Sequence, residues 1–213
     1  MKIACLSDIH GNLNFTVQDC DICFIAGDIC GSSDIYKQLA YLEGPFSDFL
    51  YGLKKRKIET ILVFGNHDLI FEKAKHLVPD LDCKILMDEV YYTNGYKIYG
   101  TPWQPVFFDW AFNLTEEELA EKFSKIPDDI DILICHGPPK GILDKTIEGK
   151  NVGSISLRNR IDKIIKHGTL KLVHFGHIHH SYGSLTIDDV TFVNSSLCDD
   201  NYNLYRKAIM VEL

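Results

Sequence analysis

Apolar residues along this chain come in short runs, and each run stops abruptly at a polar turn. "KIACLS" gives way to "DIHGN", "DICFIA" to "GDICGSSD" and "ETILVF" to "GNHD". "DDIDILIC" runs into "HGPP", and "LKLVHF" into "GHIHH". Runs this short and this rich in Ile, Leu, Val and Phe predict strands buried in a sheet. Between them lie helical patterns at about 34–55, interrupted at Gly44-Pro45, and at 115–124 and 154–167. The second opens with the capping box "TEEE", in which a Thr side chain and a Glu three residues on satisfy each other's backbone N–H groups. Short strands are expected near 184–187, 190–194 and 205–212. No repeat, low-complexity tract or linker divides the chain, so residues 1–213 are read as a single α/β domain.

Five strands that each end in a loop carrying Asp, His or Asn change the picture from fold to chemistry. Strand ends of an α/β sheet are where such proteins assemble one polar site. In chain order the loops supply Asp8-x-His10, Gly27-Asp28, Gly65-Asn66-His67-Asp68, His136, and Gly176-His177-x-His179. If these segments are extended, alternate side chains share a face, so Asp8 would converge with His10, and His177 with His179. A mixed set of carboxylate, amide and imidazole donors suits Mn, Fe or Zn better than Ca or Mg. The glycines at 27, 65 and 176 would let the backbone turn sharply and bring the donors close.

Composition narrows the partners. The net charge is −8 and there are only four arginines (Arg56, Arg158, Arg160, Arg206), which argues against broad binding to a nucleic-acid backbone. No apolar run reaches the roughly 20 residues that span a bilayer, and no basic segment precedes an apolar stretch at the start. A cytoplasmic protein that does not enter membranes is the expectation. The seven cysteines are scattered, and Cys20 and Cys23 form the one CxxC, without a second pair to complete a zinc site. In "CDICFIAG" they read as small apolar residues of a buried strand, reduced as in a cytoplasmic setting.

The order DxH, GD, GNHD, H, GHxH is similar to that of the calcineurin-like metallophosphoesterase superfamily. "GNHDLIF", "YKIYGTPWQPVFFDWAFNL", "DILICHGPPKGILD" and "HFGHIHHSYG" look like its metallophosphoesterase-domain (MPPED) subgroup, so the resemblance spans nearly the whole chain. It implies a four-layer α/β/β/α sandwich and a centre of two divalent transition-metal ions, Mn first and Fe or Zn as alternatives. By matching motif, Asp8, His10, Asp28 and His179 would hold the first metal. Asp28, Asn66, His136 and His177 would hold the second, with Asp28 and a water or hydroxide bridging the pair. His67 would assist the leaving group without ligating metal. The implied activity is metal-dependent hydrolysis of small phosphodiesters, cyclic nucleotides among them, by attack of the bridging hydroxide. A phosphomonoesterase acting on nucleotides or small phosphates is the alternative within enzymes. A nucleotide-binding protein with little turnover is the alternative outside them.

Neighbouring residues are weighed against plainer roles. His174 lies inside a strand and reads as a core histidine with a local hydrogen-bond partner. His180 alternates away from His179 and reads as rim or solvent, as do His76 and His167. Asp68 either orients His67 or pins its turn. Trp103, Phe107, Phe108 and Trp110 either stack a nucleobase or pack. Many relatives carry a carboxylate or arginine a few residues after the GD, and "GDICGSSDI" has neither at that place, which disfavours a phosphoprotein phosphatase.

Overall fold

The computed structural model describes residues 1–213. The apolar runs fold as β1 (Lys2–Leu6), β2 (Ile22–Ala26), β3 (Glu59–Val63), β9 (Ile132–Cys135) and β10 (Leu172–Phe175). The remaining strands are β4 (Lys84–Ile85), β5 (Glu89–Thr93), β6 (Tyr96–Thr101), β7 (Gln104–Pro105), β8 (Asn113–Leu114), β11 (Gly183–Ile187), β12 (Val190–Asn194) and β13 (Ile209–Glu212). One sheet has the order β13-β1-β2-β3-β4, parallel except for β13. The other runs β11-β12-β10-β9-β6-β5, parallel in the middle and closed by an antiparallel strand at each edge.

Period-two alternation explains the layering. Ile3, Cys5, Ile22, Phe24, Ile61 and Val63 of the first sheet share one apolar cluster with Ile98, Ile132, Ile134, Leu172 and Val193 of the second. The sheets therefore pack face to face. The opposite residues of the first sheet, Ala4, Leu6, Cys23, Ile25 and Leu62, join Leu42, Phe46, Leu50, Leu53 and Ile70 on its helical side. Leu133, Cys135, Val173 and Phe175 do the same against Leu119, Phe123, Leu157 and Ile161 on the outside of the second sheet. The result is the expected α/β/β/α sandwich. Strands buried on both faces are why the sequence shows continuous apolar runs.

The helices are α1 (Ile35–Tyr41), α2 (Ser47–Lys55), α3 (Ile70–Lys73), α4 (Glu116–Ser124) and α5 (Ile155–Ile165). Asp34 caps α1 by accepting from Tyr36 N and Lys37 N at 2.9 and 3.0 Å, and Thr115 and Glu118 form the full capping box of α4. Gly44-Pro45 does not break the helical stretch. The chain widens into a π turn over Leu42–Phe46, with Ser47 Oγ donating to Leu42 O, so a proline without an N–H is accommodated. Two expectations are corrected here. Cys20 precedes β2 and is only half-buried, and the last strand begins at Ile209 rather than 205, because Arg206 is committed to the loop before it. All seven cysteines are free thiols. No helix is long and apolar enough to cross a membrane.

Candidate metal centre

The loops after β1, β2, β3, β9 and β10 bring all seven anticipated donors together. Asp8, His10 and His179 place one ligand atom each within 4.8 Å of one another, and so do Asp28, His136 and His177. Asn66 joins the second group, its Oδ1 lying 2.9 Å from His136 Nε2. His10, Asp28 and His67 satisfy the same 4.8 Å criterion.

The means of convergence differs from the alternation of an extended strand. Asp8, His10, Asp28 and His177 all take left-handed backbone, with φ of 51°, 47°, 53° and 68°, and His179 opens a 3-10 turn. Each left-handed residue costs of order 1–3 kcal/mol and persists because hydrogen bonds hold it. His10 N donates to Asp28 O at 2.9 Å and Asp8 N to Gly27 O at 3.0 Å, stitching the first two loops together. Gly27 does turn sharply, at φ +90°, but Gly65 and Gly176 serve by lacking a side chain. A Cβ on Gly65 would strike Asp28 Oδ1 and His136 Cε1, and one on Gly176 would strike the Ser7 and Asp8 side chains. We expect Gly65→Ala to cost about 1–3 kcal/mol by overpacking. It should also weaken divalent-metal affinity by roughly 10–100-fold, through displaced donors. Thermal melts and a metal titration check this, and unchanged metal affinity would contradict the role given to Gly65.

Each donor is aimed. Asp8 Oδ2 accepts from Ser7 Oγ (2.5 Å), Ser196 Oγ (2.8 Å) and His177 N (2.9 Å), so Oδ1 is left facing His179 Nε2 at 3.2 Å. Asp28 spreads its oxygens. Oδ1 accepts from His67 N at 2.7 Å and lies 3.4 Å from His136 Nε2, whereas Oδ2 lies 3.8 Å from His10 Nε2. His136 Nδ1 and His179 Nδ1 each meet a backbone carbonyl at 2.7 Å, Ala26 O and Asp199 O. A carbonyl only accepts, so both rings carry a proton on Nδ1 and turn Nε2 inward, the nitrogen that a metal would take in place of a proton.

That arrangement fits a divalent metal. His136 Nε2 faces Asn66 Oδ1, His179 Nε2 faces Asp8 Oδ1, and His10 and His179 oppose Nε2 to Nε2 at 3.2 Å. Donor atoms packed this closely repel unless a proton or a metal cation sits between them, and a divalent ion would neutralise the two carboxylates at the same time. Burial pushes the His10 ring down to about 4, and burial with the neighbouring His136 charge pushes His177 down to about 3, so both rings offer neutral nitrogen at physiological pH. Burial also opposes charge on His136, but the Asp28 carboxylate outweighs it and lifts the ring to about 9. Despite their burial, Asp8 and Asp28 stay ionised because the surrounding imidazoles hold both well below the usual carboxylate range.

His67 stands at the mouth, its ring face to face with Trp110 at 4.1 Å and edge-on to His10 at 4.6 Å. No carboxylate hydrogen-bonds the ring. Asp68 does not orient it, because Asp68 is buried and accepts from Gly65 N and Cys30 N at 2.8 and 2.9 Å, pinning the turn. His174 is a core residue, buried with Nε2 2.7 Å from Ser195 Oγ. His180, His76 and His167 are exposed. Trp103 packs: its Nε1 donates to Asp88 at 2.7 Å, under the Lys122 ammonium.

Tyr202 escaped the sequence reading. It lies edge-on to His10, His67 and His179 with ring centroids 4.6, 5.8 and 5.6 Å away. Its loop also supplies the Asp199 carbonyl that orients His179, and Arg206 clamps that loop through the carbonyls of His179, Ser196 and Cys198. The only local signal was the turn-forming "DDNYN"; its position beside the site depends on long-range folding.

Residues 1–181 match the family model for calcineurin-like phosphoesterases. Metallophosphoesterase domain-containing protein 1 of Homo sapiens and that of Mus musculus are each 30% identical over 243 residues, covering 100% of this chain and 71% of their own length. A UPF0046 protein of Caenorhabditis elegans is 28% identical over 225 residues, covering 93% of this chain and 76% of its own. A solved crystal structure at 17% identity superposes with a TM-score of 0.63 over 91% of this chain and 89% of its own, a likeness of fold.

Proposed function

The chain belongs to the calcineurin-like phosphoesterase family, and from that premise we propose that it is a phosphodiesterase acting on small phosphodiesters, cyclic nucleotides among them. In this reading Asp8, His10, Asp28 and His179 hold one cation, and Asp28, Asn66, His136 and His177 the other. Mn is the first ion to try, with Fe and Zn suited to the same donors. The observation that carries the reading is Asp28, whose two oxygens face two different histidine groups.

Two divalent ions held there would acidify a bound water and draw charge from the phosphoryl oxygens. The chain's own residues do the rest. Ser7, Ser196 and the His177 amide fix Asp8, and the Ala26 and Asp199 carbonyls fix the His136 and His179 rings, so the donors need no reorganisation during turnover. As the water oxygen bonds to phosphorus and the bond to the leaving oxygen breaks, His67 gives that oxygen a proton.

A diester has two non-bridging oxygens, whose charge two cations held by these donors would offset. A monoester dianion has a third, which usually wants an arginine or lysine, and "GDICGSSD" supplies neither. The Mn-loaded protein is therefore expected to cleave bis(4-nitrophenyl) phosphate with higher kcat/KM than 4-nitrophenyl phosphate. The comparison extends to 2′,3′- and 3′,5′-cyclic nucleotides against nucleoside monophosphates. A consistent preference for monoesters would replace this reading with a phosphomonoesterase.

A further inference from the structure

Two clefts meet at His67. The larger, about 630 Å³, opens over Asp28, Asn66, His177 and His179. The smaller, about 510 Å³, lies on the far side, against Leu69, Phe108 and Trp110. His67, Phe107 and Tyr202 line both and form the ridge between them.

Three features of these clefts point to the same occupant. The first is exposed apolar surface. Of the eleven large apolar side chains left exposed in the fold, six (Val106, Phe107, Phe108, Ile147, Val152 and Tyr202) border the two clefts. Phe108 is 77% exposed and Ile147 64%, which is costly to maintain unless something covers them in use. The second is charge. No lysine or arginine lines either cleft, whereas Glu148 and Asp200 line the larger and Asp109 the smaller, so a polyanion is repelled outside the metal centre. The third is position. The proton donor assigned above stands between the clefts, so the leaving group lies on its far side and the retained group remains above the metal donors.

We infer that the substrate is an acyclic phosphodiester monoanion with two uncharged, flat or apolar ester groups: the leaving group in the smaller cleft, the retained group in the larger. This rests on the phosphoesterase reading and sharpens it, for a cyclic diester carries both ester oxygens on one sugar and fills only one cleft. Acyclic diesters with two ring-bearing groups thus rank above cyclic ones. Phe108 and Ile147 become specificity-determining residues, one per cleft. Both project from the surface, so replacing them leaves the core untouched.

Diphenylphosphinate tests the clefts apart from catalysis. It is a monoanion with two phenyl groups on C–P bonds that do not hydrolyse, and dimethylphosphinate is its counterpart without rings. Calorimetric titration of the Mn-loaded protein should give a Kd at least roughly tenfold lower for the diphenyl compound, the scale on which apolar pockets discriminate. Phe108→Ala and Ile147→Ala should each weaken diphenylphosphinate several-fold and leave dimethylphosphinate unchanged. Equal affinity for the two compounds, or variants that do not separate them, would overturn the inference. Hydrolysis of bis(4-nitrophenyl) phosphate is measured in parallel. Ester cleavage without phosphinate discrimination removes the two-cleft assignment alone, whereas discrimination without cleavage of any ester removes the phosphoesterase reading.

Discussion

Asp28→Ala is expected to strip the protein of both metals, more completely than any variant that touches one end of the cluster. One oxygen of Asp28 faces His136 at 3.4 Å and the other faces His10 at 3.8 Å, so a single truncation takes a ligand from each group. His179→Ala should weaken chiefly the group of Asp8 and His10. Elemental analysis after dialysis ranks the variants, and two tightly held metals per chain in the Asp28 variant would falsify the bridging assignment. A second effect must be separated from the first. Asp28 also accepts the His67 amide at 2.7 Å, and leaving that N–H without a partner costs about 1–3 kcal/mol. Melting both variants in chelator isolates this cost, because neither protein then holds metal.

His67→Asn should behave in the opposite way, with metal content kept and turnover lost. General acid assistance contributes about 10²–10⁴-fold, and a drop in that range is expected for alkyl esters, whose leaving oxygen needs a proton. A nitrophenyl ester should suffer less, since nitrophenoxide leaves without help. The backbone amide that His67 gives to Asp28 survives the substitution, and so does the His67 carbonyl's contact with Gln38 Nε2 at 2.7 Å. The loop stays anchored, and the missing imidazole is the variable. Because His10, Asp28 and His67 also come within 4.8 Å of one another, metal content is the deciding measurement. Loss of one ion would make His67 a ligand.

How much of this was legible in the sequence follows from the range of each interaction. The five apolar runs and their polar stops are local, and they located those five strands and the loops carrying all seven donors that the family resemblance implies. The backbone that aims those donors was not legible. Asp8, His10, Asp28 and His177 are left-handed through hydrogen bonds between distant loops, which no reading of alternation along one segment reveals. Gly44-Pro45 looked like a break because proline removes an N–H, and the structure answered with a wider turn. One miss was avoidable. The β5–β6 hairpin turns at Asn94-Gly95, both at positive φ, and Asn-Gly between strand-like segments is the strongest short-range hairpin signal. The fate of His67 was out of reach. The carboxylate sought near the GD is replaced by the face of Trp110, which lies 43 residues downstream in sequence and 4.1 Å away in space.

Asp8 takes a hydrogen bond from Ser196, 188 residues later in the chain, and β1 is flanked by β13. Seen from the ribosome, this sets an order of events. The loop bearing Asp8 is made before the other donor loops, yet its carboxylate is not fully held until the His177 amide and Ser196 arrive, and the Arg206 clamp beside His179 is later still. A nascent chain would thus display Asp8, His10 and Asp28 as a loose trio until those later residues are made. If these residues hold the proposed metal pair, its tight capture would be deferred until nearly all of them have been made, when the chain has little choice left about how it folds. An ion that binds too early would find only partial ligation, and so little to hold it in the wrong place.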